Sequence, residues 1–178
     1  MRAPSQLFDS PPAVRPATRG DLSTIRAIYN QYVHTSTCTF RLDPETAAER
    51  EAWFAGRGPA HPVVVAEAAG AVLGWAALSP WKERAAYARS VEASVYVHPD
   101  YRRRGLGRVL LVDLIARGRA LGHHVIIGGA CTEHPASIAL QETLGFEHVA
   151  CFREVGYKFG RWLDVAYLQL ILAEKDSR

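Results

Sequence analysis

The stretch Tyr101-Arg102-Arg103-Arg104-Gly105-Leu106-Gly107-Arg108 constrains the fold more than any other part of the sequence, because it joins an alternating β run to a long helical segment. Glycines 105 and 107 can adopt backbone angles that aim successive N–H groups at one point, where the helix N-terminus adds a partial positive charge. Such a corner suits an anion, above all a diphosphate. Three arginines would add side-chain donors: Arg103, Arg104 and Arg108. The same residues also fit a solvated basic turn, and their spacing alone leaves both interpretations open.

Hydrophobic periodicity divides the rest of the chain into short segments. A first helix is predicted after the cap residue Thr18, with apolar residues at three- and four-residue steps from Leu22 to Tyr32. A second helix is predicted to begin near Asp43-Pro44-Glu45 or at Thr46, where Thr46 and Glu49 have the form of a capping box, and to end at Gly56. Two more helices are predicted at 105–121 and 137–144. Strands are predicted at 14–17, 62–67, 72–78, 91–97, 125–127, 147–152 and 163–172, with irregular segments at 81–90 and 154–162. This order predicts a mixed α+β fold with a central sheet and helices on its faces.

Length and composition set further limits. With 178 residues we predict one domain at 13–173, between a disordered tail at 1–12 and a flexible end at 174–178. No apolar stretch approaches the ~20 residues that a membrane helix needs, and the N-terminus does not have the form of a signal peptide. We therefore expect a cytoplasmic protein without a membrane partner. Three cysteines without a C-x-x-C pair argue against a disulfide framework or a zinc site.

Several motifs in register resemble one family. The Arg-x-x-Gly-x-Gly pattern between strand and helix is similar to the acyl-CoA pyrophosphate loop of the GNAT acetyltransferase superfamily. Four further segments resemble its phosphinothricin and methionine-sulfoximine N-acetyltransferase branch: Trp81-Lys82, Ser90 to Val97, Ser137 to Phe146 and Gly156 to Val165. Together they span most of Val14 to Leu172. The resemblance implies a central, mostly antiparallel twisted sheet, and transfer of an acetyl group from acetyl-CoA to the amino group of an amino-acid-like substrate.

The resemblance also assigns candidate contacts for acetyl-CoA. The turn from Arg103 to Arg108, including Leu106, would bind the diphosphate through its amides and arginines. The backbone of Val95, Tyr96 and Val97 would pair with the pantetheine arm as an added strand would. For the Tyr96 ring, a place in the core is an equal alternative. His134 stands where relatives often carry an asparagine bonded to the pantetheine, so imidazole would replace that contact or the loop would differ.

Glu92 is the candidate catalytic residue. It lies in a strand of apolar and small residues just before the turn, so partial burial would raise its pKa and suit it to accept a proton. The family's proposed base occupies the matching Val-Glu position. The same carboxylate would also serve to bind the substrate ammonium, and a structural role paired with Arg89 is the alternative.

The sequence departs from the family pattern at the residue expected to protonate the CoA leaving group. Four residues before Gly145, relatives carry a tyrosine or a histidine, whereas this chain has Gln141. An amide cannot act as a proton-donating acid. The thiolate of CoA would therefore leave unassisted or through water, or Thr143 would orient the sulfur.

The acceptor pocket is predicted in the loop that follows Trp81. By resemblance, the loop residues around the amino-acid substrate are Trp81, Ala85, Ala86 and Tyr87, and Phe40 and Arg41 resemble pocket positions near the first helices. Lys82 or Arg84 would bind a carboxylate, with arginine the better bidentate clamp. Core packing of the two aromatic rings, with solvated cations, is the alternative.

Assembly and competing functions complete the prediction. In relatives the C-terminal loop helps to close the site across a dimer partner, so we expect a homodimer.

His123-His124 lacks a third ligand in obvious range, and no metal is predicted. A CoA-binding regulatory domain without transfer activity is the main alternative, which Gln141 permits. A nucleic-acid module built on Arg102–Arg108 ranks last, because the cluster is short and the net charge is only +3.

Overall fold

Seven strands form a single twisted sheet in the computed structural model, which describes residues 12–172. The strands are β1 (Ala13–Pro16), β2 (Val63–Ala68), β3 (Ala71–Pro80), β4 (Ser90–Val97), β5 (Val125–Cys131), β6 (Glu147–Lys158) and β7 (Arg161–Ile171). Their order in the sheet is β1-β2-β3-β4-β5-β7-β6, and every neighbouring pair is antiparallel except β4 and β5, which run parallel. The predicted mostly antiparallel sheet is confirmed. The predicted terminal tails fall outside the described residues, apart from Pro12.

Helices cover both faces of the sheet, as predicted. They are α1 (Leu22–Thr35), α2 (Ala47–Ala55), α3 (Leu106–Ala120) and α4 (Pro135–Glu142), with short 3-10 turns at Arg19–Asp21, Ala85–Tyr87 and Pro99–Tyr101. Alternate residues of β2 divide between two cores: Val64 and Ala66 join the cluster under α3, while Val63 and Val65 join the cluster under α1. None of the helices in residues 12–172 is long and apolar enough to cross a membrane.

A short 3-10 turn lies between Thr18 and α1, the helix that Thr18 is predicted to cap. Thr18 starts the 3-10 turn Arg19–Asp21, which leads directly into α1, so it does not cap α1 itself. The Asp21 carboxylate accepts hydrogen bonds from the Thr18 amide at 2.7 Å and hydroxyl at 2.9 Å, and it pairs with Arg15 at 2.8 Å. The hydrogen bond from Arg15 lowers the pKa of Asp21 to about 2. The capping box of Thr46 and Glu49 on α2 is confirmed.

The prediction of an irregular segment at 154–162 is wrong. β6 continues to Lys158 and β7 begins at Arg161, and Phe159 and Gly160 form the two-residue turn between them, with φ of 54° and 75°. Positive φ at both turn residues is the geometry that best matches the twist of a hairpin. The register shifts between Phe152 and Gly156, and this irregularity hides the alternation by which a strand is recognised in a sequence.

The sheet splits between β4 and β5. These strands pair only through Ser90, Val91 and Glu92 with residues 125–127, after which β4 continues along β3 and β5 continues along β7. β5 is longer than the predicted 125–127, because the Gly128–Gly129 pair extends it without an apolar signal. A wedge therefore opens in the middle of the sheet, immediately beyond Glu92.

Candidate active site

A cavity of about 540 Å³ occupies the wedge between β4 and β5. Its walls are the last residues of both strands, the start of α4, the loop between α1 and α2, and the β6–β7 hairpin. Along this wedge the β4 edge beyond Glu92 has no strand partner within residues 12–172. An extended ligand can therefore bind its free backbone groups as an added strand would.

Glu92 lies where the two strands part, and its side chain lines the cavity. Burial raises the pKa of its carboxyl, an effect that the positive charge of Lys82 opposes. No ion pair or hydrogen bond joins the carboxylate to another residue within 12–172. Arg89, the alternative partner considered above, donates instead to the Gly122 carbonyl at 2.9 Å. The structure thus presents a half-buried carboxylate that is available to a ligand.

Tyr167 is a cavity residue that the sequence analysis missed. It is the register partner of Gly129, and a Cβ built on that glycine would lie 3.1 Å from Tyr167 Cε1 and 3.6 Å from Glu92 Oε1. The Tyr167 ring and the Glu92 carboxylate therefore both lie close to Gly129, whose lack of a side chain leaves room for them. Burial raises the pKa of Tyr167, and the Glu92 charge adds to this. The Gly128–Gly129 pair in a β run was the available signal, since such glycines often mark close approach.

The predicted acceptor residues divide between two neighbouring places. Phe40 lines the main cavity together with Glu92, and Trp81 contacts the Tyr167 ring edge-on at 5.6 Å. A second depression of about 790 Å³ is lined by Trp81, Tyr87, Lys82 and Arg84 among others. Ala85 and Ala86 belong to the adjoining 3-10 turn and are exposed. Arg41, which also resembled a pocket residue, pairs with Glu49 at 2.5 Å.

The basic turn forms the strand-to-helix corner that its sequence predicts. Gly105 is the N-cap of α3 with φ of 84°, and Arg103 also has a positive φ of 60°. Leu106 is 1% exposed and anchors the helix start in the core, so it offers a ligand only its backbone. A Cβ on Gly107 would lie 3.2 Å from Leu140, which shows that α3 and α4 approach closely here. The first-turn amides of α3 are the groups that a helix cannot pair internally, and they remain for an anion.

The Tyr96 ring packs in the core, the alternative that the sequence left open. It stacks on Trp75 with 4.9 Å between centroids and meets Tyr29 edge-on at 5.2 Å. Burial raises the pKa of its phenol. At the end of the same strand, the Val97 carbonyl accepts a hydrogen bond from the Tyr32 hydroxyl. Val95 packs partly against the core under α3, so backbone groups are what this strand presents to the wedge.

His134 and Thr143 near α4 were predicted to contact CoA, and Gln141 takes the place of the usual acid; the structure separates these residues. His134 and Gln141 line the cavity, whereas Thr143 is exposed outside it and donates its hydroxyl to the Leu140 carbonyl at 2.8 Å. Burial lowers the pKa of His134. Gln141 is 7% exposed, and its Oε1 is without a hydrogen-bond partner in the described structure. That oxygen lies against Gly128, where any Cβ would overlap it.

Comparison with known proteins assigns the family. Residues 25–146 match the family model described as acetyltransferase (GNAT) family. The chain belongs to the GNAT acetyltransferase family. It is accordingly an acyl-CoA-dependent N-acetyltransferase, and the expected fold and family are confirmed.

Relatives of this GNAT enzyme align over nearly their whole length. The L-methionine sulfoximine/L-methionine sulfone acetyltransferase of Pseudomonas paraeruginosa (strain PA7) is 43% identical over 162 residues, covering 90% of this chain and 94% of the relative. The L-amino acid N-acyltransferase MnaT of Escherichia coli (strain K12) is 40% identical over 164 residues, covering 92% and 95%. A phosphinothricin acetyltransferase from Sinorhizobium meliloti, solved with acetyl-CoA, has 37% identity and a TM-score of 0.89 over 94% of this chain and 91% of that one.

Within residues 12–172 no group of three His, Cys, Asp or Glu side chains converges in a way that could hold a metal ion. His123 donates from Nε2 to the Ala60 carbonyl at 2.7 Å, and its ring lies 6.0 Å from that of His61. The His123-His124 pair is thus placed outside the cavity of the GNAT domain.

Proposed function

We propose that this enzyme transfers the acetyl group of acetyl-CoA to the α-amino group of a small amino-acid-like acceptor, by direct attack in a ternary complex. The observation that carries the proposal is the half-buried, unpaired Glu92 carboxylate, placed where β4 leaves β5 and where a carrier in the wedge would end. Relatives named for methionine sulfoximine, methionine sulfone and phosphinothricin support acceptors of that type.

The residues present fit an acyl-CoA carrier. The amides and arginines of the 103–108 turn would hold the diphosphate, and the β4 edge at Val95, Tyr96 and Val97 would hold the pantetheine arm, although the Val97 carbonyl already accepts a hydrogen bond from Tyr32. His134 lies beside this path, while Thr143 faces away from it and gives no contact. When bound, acetyl-CoA supplies an electrophilic thioester carbonyl and a thiolate leaving group.

Glu92 removes the proton that keeps the acceptor unreactive. The acceptor enters as an ammonium ion and gives one proton to Glu92, directly or through one water. The neutral nitrogen then bonds to the thioester carbon as the C–S bond breaks, and nitrogen gives its second proton to solvent water. The thiolate takes up one proton from water, because Gln141 has none to give. One net proton leaves through Glu92 to solvent.

The acceptor side chain is expected between Phe40, Tyr167 and Trp81, which supply the aromatic surface next to Glu92. Arg84 or Lys82 in the adjoining depression binds the acceptor carboxylate, with Tyr87 and the 85–86 backbone beside it. Of the two cations, Lys82 lies close enough to Glu92 for its charge to oppose the rise in pKa that burial causes in that carboxyl.

The enzyme is further proposed to act as a homodimer. β6 is an edge strand of the sheet, and its hairpin exposes several large apolar side chains: Val149, Val155, Tyr157, Phe159 and Trp162. An exposed apolar edge of this size promotes aggregation, and burial against a partner chain prevents it. A second copy seated there would also approach the acceptor mouth, since Val155 and Tyr157 line it.

An assay of CoA release tests the transfer reaction. Methionine sulfone, methionine sulfoximine, phosphinothricin and ordinary amino acids are offered with acetyl-CoA to the enzyme and to Glu92→Gln. We expect turnover of the first three, and a loss of kcat of about 10²–10⁴-fold in the variant with unchanged acetyl-CoA affinity. Acetyl-CoA binding without CoA release on the whole panel would instead support the regulatory domain.

A further inference from the structure

A buried lysine at the end of β6 holds the loop that forms one wall of the cavity. Lys158 is 2% exposed, and its Nζ donates to the Ser36 carbonyl at 2.8 Å and to the Thr39 carbonyl at 2.7 Å. The two carbonyls lie more than 110 residues away in the chain, in the segment between α1 and α2. One side chain therefore ties the β6–β7 hairpin to that loop.

This contact has an electrostatic cost. No carboxylate pairs with Lys158 among the salt bridges of residues 12–172, and burial lowers the pKa of its ammonium. A buried cation without a counter-ion is usually less stable than an apolar side chain of similar volume. Stability alone thus gives no reason for a lysine here, whereas holding two carbonyls at a fixed spacing does.

The loop that Lys158 holds reaches the cavity. Cys38, Thr39 and Phe40 line it, and the Phe40 ring rests on Gly156 of β6, where a Cβ would overlap the ring. On its other side the loop is tied to the start of α4, because the Thr37 hydroxyl donates to Glu133 at 3.0 Å and lies 3.0 Å from His134 Nε2. The segment is held from both sides, with Phe40 projecting between them.

We propose that Lys158 is a positioning residue that fixes the 36–40 loop, so that Phe40 forms a rigid wall against the acceptor side chain. This role rests on the proposed transfer reaction. Lys158 is not among the residues that line the cavity. It acts through Phe40, which lines the same cavity as Glu92.

Kinetics of Lys158→Met test this role, since methionine keeps the length and apolar stem but removes the charge and all donors. We expect the acceptor KM for methionine sulfone to rise about tenfold, because the loop loses both hydrogen bonds from Lys158 and Phe40 is no longer fixed, with acetyl-CoA affinity unchanged. Gly156→Ala, which displaces Phe40 from the other side, should give the same pattern with Lys158 intact. Equal losses for both substrates in both variants would show a merely structural role and overturn the proposal.

A second measurement does not depend on turnover. Cys38 lies between the two bonded carbonyls and is half-buried, so its alkylation by iodoacetamide reports the order of the loop. Burial raises the pKa of the Cys38 thiol and the Lys158 charge lowers it, so rates are compared at a pH high enough to ionise the thiol in both proteins. In a Cys151→Ser background, which removes the exposed thiol, Lys158→Met should speed Cys38 alkylation about tenfold or more. An unchanged rate overturns the inference. A parent enzyme that acetylates no acceptor, but shows the faster alkylation in the variant, would refute the transfer reaction and leave the loop role standing.

Discussion

The Glu92 carboxyl titrates under two opposed influences: burial raises its pKa from the ordinary 4.5, and Lys82 lowers it. A general base works only when deprotonated, so both kcat and kcat/KM should rise with pH along a limb whose midpoint lies above 4.5. A pH–rate profile on methionine sulfone measures that midpoint. Lys82→Gln removes the opposing charge, so the limb should move to still higher pH.

The pH–rate profile of Lys82→Gln can also contradict the role of Glu92 as general base. If Glu92 only binds the amine, its ionisation affects acceptor KM and leaves no acid limb in kcat. If the limb of kcat stays in place when Lys82 is removed, the titrating group is not the carboxylate that the structure places near that lysine.

At this scale the sequence predicted those residues whose role depends on their own type and neighbours. Glu92 and Phe40 were found by motif, and both line the cavity. Tyr167 and Lys158 were missed. The contacts of Tyr167 depend on the register of β7 against β5, and those of Lys158 join residues more than 110 positions apart in the sequence. A shift of one residue in either strand would turn these side chains to the other face.

Gly105 decides the geometry of the corner between β4 and α3. Its φ of 84° is a conformation that costs an alanine about 1–2 kcal/mol. Gly105→Ala should therefore turn the first amides of α3 away from the diphosphate and raise the Kd for acetyl-CoA about tenfold, as calorimetry would measure. The KM for S-acetylpantetheine, which has no diphosphate, should not change.

Gly122 supplies the matched control at the other end of α3. Its φ is 76°, and a Cβ there would meet no atom within 4 Å. Gly122→Ala carries the same backbone cost away from the cavity, so it should lower Tm as Gly105→Ala does and leave acetyl-CoA affinity intact. Equal affinities in the two variants would remove the turn from the carrier site.

Local patterns predicted the elements well where they were regular. The capping box of α2, the β2–β3 hairpin and the glycine at the start of α3 all have signals within a few residues. The β6–β7 hairpin was lost because the register shift before Gly156 breaks the alternation, and Phe159-Gly160 is not among the common turn pairs.

The split sheet belongs to the whole molecule and has no local signature. β4 and β5 are joined by the α3 crossover, and only three residue pairs hold them together before each follows its other neighbour. Periodicity shows that both are strands, yet it does not show where their pairing stops. The sheet topology places Glu92 at the last β4–β5 pair, and with it the site. In the sequence, the family resemblance is what points to this residue.

Assembly is the remaining property at this scale. Trp162 is 60% exposed, lies opposite Tyr157 across the β6–β7 pair and contacts its ring at 5.0 Å, so the two form an apolar surface at the sheet edge. In the proposed homodimer this surface is buried, and Trp162→Glu would place a charge there at a cost of several kcal/mol. The variant should therefore become monomeric by light scattering with a higher acceptor KM. Val112→Glu, at a 45% exposed apolar position of α3, is the control and should leave the mass unchanged. A wild-type enzyme that scatters as a monomer at assay concentration would refute the homodimer.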